Sequence, residues 1–168
     1  MTYTTLTLTF FVLIALYWNV DSIEKRQMTR LETKCKQNKN YTYLRYRNAE
    51  KCMIWMGKDL LYLDAVKSCQ EQGALLGTFK TQSELTILRQ FAKDTIVWVG
   101  LDKINKPTFT WIDDGKQVTN LTFYFPGMSA STDMTAISDC TTWSMMVYHF
   151  TFSTVLCFMA APYICEKR

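Results

Sequence analysis

Histidine is almost missing from this chain: His149 is the single one in 168 residues. Most general acid–base and zinc chemistry draws on that residue, so an ordinary hydrolase or zinc enzyme has little to work with. Three prolines and six glycines are too few for a collagen-like or linker-rich chain. There is no glycine-rich phosphate loop, no paired metal-ligand spacing and no basic helical stripe. Charged residues make up 20% against 48% hydrophobic, which excludes an acidic tail and a disordered chain. The length allows one ordinary domain and a short extra segment, but not two full domains.

What is present points outside the cell. Leu6 to Trp18 is an uncharged stretch of thirteen residues. That matches the hydrophobic core of a signal peptide and falls short of the roughly 20 residues a spanning helix needs. No Lys or Arg precedes it, and no clean small-x-small cleavage site follows. We expect residues 1–22 to be a signal peptide cut between Trp18 and Ile23; the alternative is an uncleaved anchor. A secreted, extracellular chain places its six cysteines in an oxidising compartment, where a disulfide framework is the default. It also gives meaning to two glycosylation sequons, Asn40-Tyr41-Thr42 and Asn120-Leu121-Thr122.

Charge is concentrated at one end. Glu24 to Lys51 holds nine Lys and Arg against three Glu, while Cys52 to Arg168 holds ten basic and eleven acidic residues. The formal excess of +4 therefore comes from the N-terminal segment. Lys34, Lys36, Lys39, Arg45, Arg47 and Lys51 alternate with Tyr41, Tyr43 and Tyr46, so residues 24–51 could contact a polyanion such as a sulfated glycan. The plainer reading, which we favour, is a solvated, partly extended hairpin.

The rest of the chain has a readable order. Cys52 to Met56 is a short apolar run ended by Gly57, which predicts a strand. Leu61, Ala65, Cys69 and Gln72 sit at helical spacing, with Gly73 placed to end the helix. Thr81-Gln82-Ser83-Glu84 is a capping box that opens a second helix bearing Leu85, Leu88, Phe91 and Ala92. Ile96 to Leu101 and Phe109 to Ile112 read as strands, the second closed by Asp113-Asp114-Gly115. Lys116 to Asp139 is hydroxyl-rich, contains Pro126-Gly127, and reads as a long loop. Between Cys140 and Cys165, 24 consecutive positions carry no charge. His149, Thr151, Ser153, Thr154 and Pro162 break that run, so it reads as two buried strands joined by a loop rather than a membrane span.

These residues together resemble the C-type lectin-like domain in its long form. Trp98-Val99-Gly100-Leu101 looks like that family's core strand. Cys69 on the first helix, Trp111 before the Asp-Asp-Gly turn, Asp139-Cys140, Cys157 and the closing Tyr163-Ile164-Cys165-Glu166-Lys167 complete the pattern. The resemblance implies an α+β fold, with two helices flanking small antiparallel sheets, a long irregular loop region and disulfides. It implies the pairs Cys69–Cys165 and Cys140–Cys157, with Cys35–Cys52 bridging the N-terminal hairpin. Sixteen residues separate that last pair, more than the family usually shows. On this reading residues 1–22 are the signal peptide, 23–51 the basic segment and hairpin, and 52–168 the domain. Trp98, Trp111 and Trp143 then read as core packing, as do Met53, Met56, Met145 and Met146.

The resemblance weakens where relatives bind sugar. They hold a calcium ion with carboxylate and amide oxygens, as a hard cation requires. The matching positions here are Met128 and Ala130 after the Pro-Gly turn, Ser138 before Asp139, and Ser153 and Thr154 in Phe152-Ser153-Thr154. None carries a carboxylate or amide. At the auxiliary calcium site Asp139 and Asp102 remain, with Lys106 near where an acid often stands. We therefore expect no calcium and no other cofactor. Phe123, Tyr124, Phe125, Met128, Met134 and Tyr148 would suit a protein-binding face.

The sequence thus predicts a secreted recognition protein that is not an enzyme, since Ser and Cys lack an activating partner and His149 sits in an apolar strand pattern. Its expected ligand is a glycan or a protein, without calcium-dependent sugar binding and with no nucleic-acid partner. The alternatives are a lectin of innate recognition using a non-standard site, and an extracellular matrix component adhering through its basic segment.

Overall fold

The computed structural model describes residues 28–92, 95–119, 139–146 and 149–168, with backbone alone at 145, 146, 149 and 150. Residues 31–168 form one compact unit. The elements run α1 (Arg30–Lys36), β1 (Thr42–Tyr46), β2 (Ala49–Leu60), α2 (Tyr62–Glu71), β3 (Leu75–Leu76), α3 (Gln82–Ala92), β4 (Val97–Asp102), β5 (Thr110–Trp111), β6 (Cys140–Met146), β7 (His149–Val155) and β8 (Ala161–Lys167). Among the described residues the eight strands share one sheet in the order β1-β2-β8-β4-β6-β7, with β3 on β8 and β5 on β4.

Period-two alternation in the central strands divides the core between the two faces of this sheet. On β4, Val97, Val99 and Leu101 join one buried cluster, and Trp98 joins the other. On β8, Ile164 goes with the first cluster, and Tyr163 and Cys165 with the second. Helix α3 covers the first face with Leu85, Ile87, Leu88 and Ala92; helix α2 covers the second with Tyr62, Ala65 and Cys69. Each large apolar side chain buried this way contributes about 1.5–3 kcal/mol. All six residues of β4 are buried, which explains why Ile96 to Leu101 reads as a continuous apolar run.

Local signals account for the element ends. The Glu84 amide donates to the Thr81 hydroxyl (3.2 Å), while the Glu84 carboxylate accepts from the Thr81 amide (2.9 Å), so the capping box forms and α3 starts at Gln82. Helix α2 ends in a Schellman motif: Gly73 has φ +63°, its amide donates to the Gln70 carbonyl, and the Ala74 amide to that of Cys69. Gly100 serves a different need. Its backbone bridges Gly77 and Ile112, and a Cβ there would lie 2.7 Å from the Leu76 carbonyl oxygen and 2.8 Å from Ile112. Close backbone approach is what the glycine in Trp98-Val99-Gly100-Leu101 provides.

Three disulfides tie the unit together: Cys35–Cys52, Cys69–Cys165 and Cys140–Cys157. These are the pairs that the resemblance implies. The second closes a span of 96 residues and joins α2 to β8. In the loop-entropy picture that contributes about 4–5 kcal/mol.

Several expectations need correction in detail. Gly57 does not end its strand: β2 continues to Leu60, with an irregularity in its pairing to β8 between Met56 and Leu60, the usual consequence of a glycine inside a strand. The hairpin is preceded by a short helix, α1, so the described residues hold three helices. The sheet is mixed, because Trp98 pairs with Tyr163 in parallel. Among the described residues three strands, not two, fall between Cys140 and the C-terminus, the last beginning at Ala161. Met56 is half-buried rather than part of the core. Trp98, Trp111, Trp143 and Met53 are buried core, as expected.

Candidate functional site

The strand pair β6–β7 sets Thr142 opposite Ser153 and Ser144 opposite Thr151 on one face, and Trp143 opposite Phe152 and Thr141 opposite Thr154 on the other. The second face is apolar: Trp143 and Phe152 meet edge to face at 5.4 Å, with Trp111 against Phe152 at 6.1 Å. The first face carries hydroxyls, and the Ser144 and Ser153 oxygens lie 2.9 Å apart. It forms the polar floor of a cleft of about 680 Å³. The walls are Trp98, Val155 and Ile96, with Met159 to Pro162 and Asp59 at the end of β2.

Trp98 is held rigidly. Its indole N–H donates to the Leu60 carbonyl at 2.8 Å, and Tyr62 packs edge-on against it at 5.4 Å. The Tyr62 hydroxyl donates in turn to Asp102 Oδ2 at 3.0 Å. Burial first, and then the Asp102 charge, push the Tyr62 phenol far above its ordinary pKa, so it serves only as a neutral donor. The other Asp102 oxygen accepts from the Ile104 amide at 3.1 Å and from the Lys106 ammonium at 2.9 Å. Both oxygens of this buried carboxylate are therefore engaged by the protein itself. Asp139 is half-buried, and its backbone carbonyl accepts from the Lys103 amide at 2.7 Å. Among the described residues no group of three or more His, Cys, Asp or Glu is placed to hold a metal ion.

Of the five ligand positions expected from the sequence, Ser153 and Thr154 are described, and both border the cleft. Strand alternation gives them different surroundings: Ser153 shares the hydroxyl face with Thr142 and Ser144, whereas Thr154 belongs to the face of Phe152 and Trp143. Met128, Ala130 and Ser138 lie outside the described residues, as do Asn120 and the aromatic cluster from Phe123 to Phe125. Asn40 is described and exposed, one residue before its half-buried neighbour Tyr41 enters a cation–π contact with Lys167 at 4.7 Å.

The basic segment is not uniformly solvated. Lys51 is buried: its ammonium donates to the Thr78 carbonyl (2.6 Å) and to Glu166 (2.9 Å), and pairs with Glu84 (3.1 Å). It belongs to the core and leaves the set of polyanion contacts. Lys36 pairs with Glu32 at 2.9 Å, and Arg47 lies over the Tyr46 ring at 5.4 Å. Lys39 and Arg45 are exposed.

Sequence reasoning missed the two buried ion clusters. In one, Glu166 accepts from Lys51, from the amide and hydroxyl of Thr78, and from Arg168. In the other, Asp113 receives Lys80 and Arg168. No local signal could reveal pairs so far apart in sequence. Burial alone would raise the Glu84 carboxyl, but the Lys51 charge and the amides of Lys80 and Thr81 prevail and hold it below the ordinary range. Asp113 is likewise lowered, against its own desolvation, by Lys80 and Arg168.

The family model described as the lectin C-type domain matches residues 58–167. No curated protein sequence matches the chain. Among solved structures, the C-type lectin domain of murine dendritic cell inhibitory receptor 2, in complex with an N-glycan, is similar at TM-score 0.63 and 14% identity, covering 77% of this chain and 97% of that one. Human lithostathine is similar at TM-score 0.60 and 18% identity, covering 86% and 99%. A calcium-independent type II antifreeze protein is similar at TM-score 0.59 and 19% identity, covering 76% and 91%.

Proposed function

The chain belongs to the C-type lectin domain family, and from that premise we propose that it is a secreted recognition module that binds a glycan or protein ligand without calcium. Residues 1–22 direct export, 23–51 form the basic segment and hairpin, and 52–168 carry the recognition domain. The module binds rather than catalyses. Asn40, exposed ahead of β1, carries an N-linked glycan once the chain is exported.

The observation that carries the calcium-free reading is the state of Asp102. Calcium takes roughly six to eight oxygen ligands. Here one carboxylate that could contribute is closed off by a phenol, an amide and an ammonium group, the last of which repels a cation. The strand position nearest the hydroxyl floor, Ser153, offers a neutral oxygen. These residues do not fit a calcium ion, and no part of the binding is assigned to one. The antifreeze protein named above is described as calcium-independent, so the fold is compatible with that property.

A glycan array probed with and without a chelator tests the reading. Signals that the chelator leaves unchanged are expected; signals abolished by it would contradict the proposal. A second contact is favoured by the exposure of Lys39 and Arg45 beside Arg47. These cations attract a sulfated polyanion, as a matrix component would require. Retention on a sulfated glycan column should then fall when the three are replaced by Ser.

A further inference from the structure

We infer that the cleft, together with the apolar collar beside it, docks a protein partner that presents a lysine or arginine side chain flanked by apolar residues. This rests on the recognition-module reading and names its ligand class.

The collar comes first. In the unit of residues 31–168, the exposed large hydrophobic side chains among the described residues are Leu61, Leu63, Ile96, Phe158 and Met159, with exposures from 42% to 71%. Ile96 and Met159 line the cleft itself. The Tyr62 amide donates to the Cys157 carbonyl at 3.2 Å, which brings the start of α2, with Leu61 and Leu63, next to the segment that carries Phe158. Leu60 pairs with Ala161, so the end of β2 lies against the segment that follows Met159. Single exposed apolar residues are ordinary; two in the cleft wall, with three more on the segments paired beside it, mark an interaction surface.

Charge then selects the occupant. Among the described residues, Asp59 is the one ionisable residue that lines the cleft. Its side chain is exposed and makes no ion pair among the described residues. A chain of net charge +4 thus places a carboxylate at the mouth of this cleft. A cation of a docked partner pairs with this carboxylate, and the pair strengthens only as the partner covers it from water. The hydroxyls of Ser144 and Ser153 on the floor supply further acceptors. A glycan would satisfy those hydroxyls but leave Phe158 and Leu63 uncovered. A membrane surface would cover the collar but would bring anionic headgroups to Asp59. A protein segment with a basic side chain between apolar ones satisfies all three features.

The test uses immobilised twelve-residue peptides with a central Lys or Arg flanked by Leu and Phe, and matched peptides with Gln or Glu at the centre. We expect the Lys and Arg peptides to bind at least about tenfold more tightly than the Gln and Glu forms. Asp59→Asn should erase most of that preference, and Phe158→Ser should weaken all the peptides by about tenfold, with the thermal midpoint of each variant showing that it is folded. Failure of every peptide to bind, equal binding of all four, or an unchanged preference in Asp59→Asn would overturn the inference. So would retention on phosphatidylcholine–phosphatidylserine vesicles that strengthens in Asp59→Asn. A chelator-insensitive glycan signal alongside any of these results would leave the recognition reading standing. Calcium-dependent glycan binding would remove that reading without touching the peptide result.

Discussion

Replacing Lys51 with Met tests how strand β2 is bound to β8 and α3. The methionine fills the aliphatic volume but removes the ammonium group that contacts the Thr78 carbonyl, Glu166 and Glu84 and lies over the Phe79 ring at 5.3 Å. Glu166 is only 2% exposed and cannot turn to water. Removing one partner of a buried pair costs about 3–5 kcal/mol, mostly as the penalty on the charge left behind. Arg168 remains 3.3 Å from the other Glu166 oxygen, so we expect the lower end, about 3 kcal/mol. Adding Glu166→Gln neutralises the orphan while its carbonyl can still accept from Thr78. The double variant should therefore recover about 1–2 kcal/mol of the single-variant loss. Urea unfolding followed by tryptophan fluorescence, with the disulfides intact, measures both values. A Lys51→Met cost below about 1 kcal/mol, or a double variant as damaged as the two singles summed, would refute the reasoning.

Two further predictions concern the frame. Gly100→Ala would push a methyl group against the Leu76 carbonyl and Ile112, so it should lower stability by about 1–3 kcal/mol in the same urea assay, whereas Gly57→Ala, with no atom closer than 3.5 Å, should cost less. Acid should destabilise the domain: Glu84 and Asp113 are lowered in the folded state, so their contribution is complete above their unfolded values near about pH 4 and is lost as pH falls through the folded ones. Thermal midpoints should hold from neutral pH to about 5 and then drop; a midpoint that rises on acidification would contradict both assignments.

What was legible in the sequence was what short range decides. The capping box at Thr81–Glu84, the glycine stop at Gly73 and the apolar run of β4 each depend on neighbours within a few residues. The cysteine pairs were legible through the family pattern rather than through physics, because spacing alone leaves six cysteines open to many pairings. Lys51 looked like one more solvated cation, since its partner Glu166 lies 115 residues away. Gly57 looked like a stop because a glycine can either end a strand or bend one, and pairing to β8 decides which. The cleft was half visible: Ser153 and Thr154 were singled out, but Asp59 and Met159 reach it only through the pairing of β2 with β8. That Met128, Ala130, Ser138, Ser153 and Thr154 carry no carboxylate could be read directly; that Asp102 is held by Tyr62 and Lys106 could not.

The most direct measurement is a calorimetric titration of the refolded, disulfide-bonded protein with calcium. With Asp102 engaged by Tyr62, Ile104 and Lys106, we expect no saturable heat at affinities tighter than about millimolar, the weak end for extracellular modules. A stoichiometric isotherm in the micromolar range would contradict the account.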